Sequence, residues 1–113
     1  METSKKTIFL KSDKIGDGEL GSMLAKGFLT AIYEQTETPK AIVCVNSAVL
    51  LTTANEEDEI VQILKKIESK GVDIYSCGTC LDYYDKRDDL KVGVAGNAMD
   101  TAKMLLTEDI VSL

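Results

Sequence analysis

Ala41-Ile42-Val43-Cys44-Val45 is apolar at every position and lacks the alternation of a half-buried strand. A strand reads this way when both its faces are covered, as in a parallel sheet between helices. The segments around it repeat the theme. Upstream, Thr7-Ile8-Phe9-Leu10 reads as a strand ending near Ser12-Asp13. The turn Ile15-Gly16-Asp17-Gly18 then leads into a helix, with Asp17 or Gly18 as its cap. Its apolar residues Leu20, Met23, Leu24, Gly27, Phe28, Ala31 and Ile32 fall on one face, expected to belong to the core. Pro39 marks the connection to the central strand.

Downstream, Asn46-Ser47 ends that strand, and Asn55 is the expected N-cap of a second helix. Glu56, Glu57 and Asp58 fill its first turn, Ile60, Ile63, Leu64 and Ile67 line its apolar face, and Gly71 stops it. Residues 72–76 read as a third strand running into Cys77-Gly78-Thr79-Cys80, with a short helix or turn over 81–84. Residues 91–95 read as a fourth strand. Asn97 caps a helix carrying Ala98, Ala102, Leu105 and Leu106, and 110–113 is a short fifth strand. Met23, Met99 and Met104 sit on helical faces and are read as core. Strands alternating with helices give βαβ units. The expected fold is a three-layer α/β/α sandwich, and 113 residues make one domain, 1–113. A chain of this size buries about two thirds of its surface, enough for a core without disulfides.

Composition narrows the function. The 13 Lys and Arg against 19 Asp and Glu give a net charge of -6, which repels nucleic acid and anionic membranes. With no His, Ser-His and Cys-His pairs are excluded, and a zinc site would need Cys and carboxylate ligands alone. The apolar stretch near the N-terminus is too short for a signal peptide or a membrane span, so the cytoplasm is the expected location.

In an open parallel sheet, sites form at the carboxyl ends of the strands. Here those ends carry Asp13, Asn46-Ser47, the cysteine loop and Gly96-Asn97. Cys77 and Cys80 are the candidate chemical groups, supported by Gly78, which permits close backbone approach, and Thr79, which can cap. Free N–H groups at a helix start favour the thiolate. The spacing leaves four readings: a sulfur-carrying or redox thiol pair, half of a metal site shared with a second chain, two inert thiols, or a structural disulfide. Placement favours the first.

Cys44, mid-strand between Val43 and Val45, reads as a core residue. Gly16-Asp17-Gly18-Glu19-Leu20-Gly21 matches a dinucleotide-binding pattern literally. Asp17 and Glu19 would however repel a pyrophosphate, so the segment reads as a structural turn. The run 56–59 reads as a solvated helix start, and Asp85-Lys86-Arg87-Asp88-Asp89 as an exposed loop. No cofactor and no resident metal is expected.

Four segments together resemble the DsrE/DsrF-like family. They are Ser76-Cys77-Gly78-Thr79-Cys80-Leu81-Asp82-Tyr83-Tyr84; Ser12-Asp13 with the glycine turn and Lys26-Gly27-Phe28; Val45-Asn46-Ser47-Ala48-Val49; and Leu51-Thr52-Thr53. Within the family the chain looks most like the C-terminal domain of YedF-type members, described as sulfurtransferase-like proteins of selenium metabolism. The resemblance implies a five-stranded parallel sheet, homo- or hetero-oligomers, with a homo-oligomer expected for this chain, and sulfur carried as a persulfide. It implies sulfur donor and acceptor proteins of the TusA-like or cysteine-desulfurase type. Aligned on the third strand, Cys77 falls at the carrier position and Cys80 is an additional thiol. Relay members often place an Arg seven residues after the carrier; here that residue is Tyr84. YedF-type members also carry a TusA-like domain, so the donor is expected to be a separate protein. The rival reading is a non-catalytic oligomeric module whose cysteine loop holds a metal or a partner.

Overall fold

The computed structural model describes residues 2–4 and 6–113. A short strand β1 (Glu2–Thr3) pairs in parallel with β3 (Glu37–Thr38), apart from the main sheet. The main sheet holds β2 (Lys6–Leu10), β4 (Ala41–Cys44), β5 (Asp73–Cys77), β6 (Val94–Gly96) and β7 (Asp109–Ser112). Its order is β6-β5-β4-β2-β7, and every pairing is parallel. The sequence expectation of a five-stranded parallel sheet is met.

Register stacks like with like. Ile8, Ile42 and Ile74 form one rung, and Leu10, Cys44 and Ser76 the rung two residues on. These rungs face α1 (Gly18–Glu34) and α3 (Glu59–Ser69), whose Leu29, Ile60, Val61, Leu64 and Ile67 complete the core. The chain steps from β2 through β4 and β5 to β6 in one direction, then returns to the far edge. Right-handed crossovers therefore put α5 (Ala98–Thr107) on the opposite face of the sheet. That second layer is thin. A cavity of about 290 Å³ lies between it and the sheet, lined by Tyr75, Met104 and Glu108 among others.

Helix α1 departs from expectation. It turns Gly21, Ala25 and Leu29 inward, and Leu20, Met23, Leu24 and Phe28 outward, with Phe28 53% exposed. Met99 and Leu106 on α5 are likewise exposed, and Met104 is only half-buried. Periodicity defines an apolar face but not what covers it. Close approach to the sheet suits the small side chains of α1, so its bulky stripe points away.

The second helix also starts later than expected. Its N-cap is Asp58, which accepts the Ile60 amide at 3.1 Å, and not Asn55. Asn46-Ser47, expected only to end a strand, opens a 3-10 turn (Asn46–Ala48) that runs into a short helix α2 (Val49–Thr52). Asn97 caps α5 as read, accepting the Asp100 amide at 2.9 Å.

Gly93 opens β6 from the left-handed region (φ +74), and a Cβ there would lie 2.2 Å from the Ile74 carbonyl oxygen. Backbone cannot yield as a side-chain tip does. Gly93→Ala should therefore cost about 3 kcal/mol, from strain plus overpacking. Urea unfolding measures it; a loss below about 1 kcal/mol would contradict this packing.

Candidate functional site

Because the sheet is parallel, β2, β4, β5 and β6 all end at one edge, where the loops that follow them meet. β5 ends at Cys77, and α4 (Gly78–Tyr83) starts at the next residue. Leu81 is fully buried and anchors α4 to the core. Arg87 holds the helix from outside. Its Nε donates to Asp82 Oδ1 at 2.7 Å, and its Nη2 donates to Asp82 Oδ2 and to the Gly78 carbonyl, both at 3.1 Å. The guanidinium hydrogen bonds keep the Asp82 carboxyl below the usual carboxylate range. A Cβ on Gly78 would lie 2.8 Å from Arg87 Nη2 and 3.0 Å from the Gly96 carbonyl oxygen. Glycine here lets the Arg87 tip and the Gly96 carbonyl approach closely; a Cβ would make both give way.

Both loop cysteines are free, half-buried and packed against the core cluster. Cys80 forms part of the wall of a cavity of about 430 Å³, with Val45, Asn46, Thr79, Tyr83 and Tyr84. The Asn46 amide donates to Cys80 Sγ at 3.1 Å. Asn46 is one of two non-glycine residues with positive φ among those described, at +53. That backbone twist at the end of β4 aims the amide across at α4. Burial, foremost, and the neighbouring Cys77 thiol push the Cys80 thiol up from its ordinary value, while the Asn46 amide pulls it back. Tyr83 and Tyr84 meet edge to face, with ring centroids 5.2 Å apart.

Other candidates stand apart from the thiols. The Asp13 amide donates to Ser47 Oγ at 3.1 Å, and Ser47 Oγ lies 3.3 Å from Ser12 Oγ. This cluster ties the end of β2 to the turn after β4, and it does not reach the wall of the Cys80 cavity. Thr79 is exposed at the rim. Cys44 is fully buried, and burial pushes its thiol up to about 12. It is a core residue, as its sequence context indicates.

The DsrE/DsrF-like family profile matches residues 11–111, nearly the whole chain. The chain belongs to the DsrE/DsrF-like family. The crystal structure of the ychN protein from E. coli shares the fold, with a TM-score of 0.71 at 19% identity over 100% of both chains. A conserved protein of unknown function from Bacteroides thetaiotaomicron, BT1422, gives 0.66 at 13% identity over 96% of this chain and 95% of that one. No curated protein sequence matches the chain.

In this DsrE/DsrF-like chain the glycine turn is structural. Gly16 and Gly18 hold positive φ, and Gly21 packs so tightly that a Cβ would lie 2.8 Å from the Gly16 carbonyl oxygen. Among the described residues, no cluster of His, Cys, Asp or Glu side chains converges as a metal site. No helix among them is long and apolar enough to cross a membrane.

Two features escape the sequence. Arg87 reads there as loop charge but bonds to the Gly78 carbonyl; its being the sole Arg was the one available signal. The Asn46 contribution comes from backbone, so side-chain chemistry gave no signal.

In the native reduced protein, Cys77 and Cys80 should react with a small alkylating agent, and Cys44 only after denaturation. Labelling of Cys80 should go on rising past pH 9.0, the ordinary thiol value, because its thiolate forms later than usual. Mass spectrometry across a pH series reads both; native labelling of Cys44 would show that the core is open.

Proposed function

We propose that the protein is a sulfur-relay carrier that holds sulfur as a persulfide on a cysteine of the Cys77-Gly78-Thr79-Cys80 loop. The observation that carries this reading is the pair of free, half-buried thiols at the β5–α4 junction, Cys77 closing β5 and Cys80 in the first turn of α4, at the carboxyl edge of a DsrE/DsrF-like sheet. Family membership supports sulfur-relay chemistry at the coarser level. A loop thiolate attacks the outer sulfur of a donor persulfide, R–S–SH. The bond between the two donor sulfurs breaks, R–S⁻ leaves, and a protein persulfide remains. An acceptor thiolate then takes the outer sulfur and the loop thiolate returns. Donors of the cysteine-desulfurase or TusA-like type fit this step, and selenium is the second cargo, following the YedF-type resemblance.

The test is intact mass after incubation of the reduced protein with a cysteine desulfurase and cysteine. A reducible gain of one sulfur atom is expected, absent from the Cys77→Ser/Cys80→Ser double variant. No gain in protein with both thiols accessible would reject the reading.

The same reading includes association with further copies of the chain. Its support is the outward stripe of Leu20, Met23, Leu24 and Phe28 on a 17-residue helix, with open space above Gly27 that lets a second helix approach. Wild type should sediment as an oligomer, and Phe28→Glu should shift it toward monomer with unchanged circular dichroism. A monomeric wild type would remove this part of the proposal.

A further inference from the structure

Cys77 and Cys80 stand in different surroundings. Cys80 lines the cavity of about 430 Å³, and Cys77 is absent from its wall. Cys80 Sγ accepts the Asn46 amide at 3.1 Å. Cys77 instead closes β5, where it pairs with Gly96 of β6. A donor persulfide must bring its outer sulfur into contact with the attacking thiolate, and that approach needs open space beside the sulfur. The Asn46 N–H aimed at that sulfur offsets part of the burial that raises the Cys80 thiol, and it holds the anionic persulfide that replaces the thiolate.

We infer that Cys80 takes the sulfur from the donor and Cys77 resolves it, with Asn46 as the positioning residue. This rests on the persulfide reading above and inverts the order implied by the family resemblance, which put the carrier at Cys77. Cys80 thiolate attacks the outer sulfur of R–S–SH; R–S⁻ leaves and takes up the proton that Cys80 gave up. The product is Cys80–S–SH. An acceptor thiolate removes the outer sulfur and restores the Cys80 thiolate. In the absence of an acceptor, the Cys77 thiolate attacks Cys80 Sγ and HS⁻ leaves. The outer sulfur is thereby reduced to sulfide, and the two cysteines are oxidised to a Cys77–Cys80 disulfide. A dithiol reductant returns the pair to thiols.

The role of Asn46 lies in its backbone. Asn46→Gly keeps the amide and the left-handed conformation, whereas Asn46→Val disfavours that conformation. The glycine variant should load at the wild-type rate. The valine variant should load about fivefold more slowly, as expected for loss of one hydrogen bond. Its Cys80 alkylation profile should also move to higher pH. Equal loading and equal profiles in the two variants would remove Asn46 from the mechanism.

The deciding experiment uses a cysteine desulfurase and cysteine as the sulfur source. The persulfide formed on wild-type protein is capped by alkylation and located by fragment-ion mass spectrometry; single variants run alongside. Expected are a capped persulfide on Cys80, a persulfide on Cys77→Ser that outlives the wild-type one, and no sulfur on Cys80→Ser. A persulfide on Cys77 in wild type, or loading of Cys80→Ser at the wild-type rate, would overturn the assignment. The wild-type map does not depend on any variant folding. If wild type takes up no sulfur at all, the persulfide reading itself fails, and that result is distinct from sulfur found on the wrong cysteine.

Discussion

Everything else in this molecule follows from the parallel pairing of β4 with β2 on one side and β5 on the other. Parallel strands cannot be joined by tight turns, so each return passes over a face of the sheet. Those crossovers supply the helices that bury the isoleucine rung of Ile8, Ile42 and Ile74. The same constraint points the strand ends one way. Residues distant in sequence, such as Asn46 and Cys80, then become neighbours without any local motif joining them. The core and the site are two results of one pairing rule.

The site is held mainly by backbone and packing. Leu81 fixes α4 from inside, Arg87 fixes it from outside through Asp82 and the Gly78 carbonyl, and Gly78 lets Arg87 and Gly96 close in. Beneath it, Ser76 and Thr52 share a buried hydroxyl contact of 2.6 Å. Buried polar groups paired in this way cost little and restrict how the surrounding chain can sit. A thiol pair held in this way, one at the end of β5 and one in α4, keeps its spacing.

Much of this was legible in the sequence, for identifiable reasons. Unbroken apolar strands and interleaved helical periods report burial on both faces, and that fixes the class. Cys44 and the cysteine loop were readable because strand interior and strand end differ in composition. The outward stripe of α1 was not readable, since periodicity gives the direction of a face and not its partner. The start of α3 at Asp58 was missed because Asn55 and Asp58 are equally good caps, and tertiary packing chose between them. The Asn46 amide was invisible for a deeper reason: every residue but proline has one, and only backbone torsion decides where it points.

The outward face of α1 has a consequence for how the protein behaves among its own copies. That stripe is uncharged on a molecule whose net charge is -6. Two molecules approaching face to face meet mutual repulsion before their apolar side chains touch. At physiological ionic strength that repulsion is screened beyond about 8 Å, and in dilute buffer it reaches several times farther. The apolar attraction acts only at contact. Added salt therefore removes the barrier and leaves the attraction in place. In the association proposed above, dissolved ions, as much as protein concentration, set how readily one copy meets another.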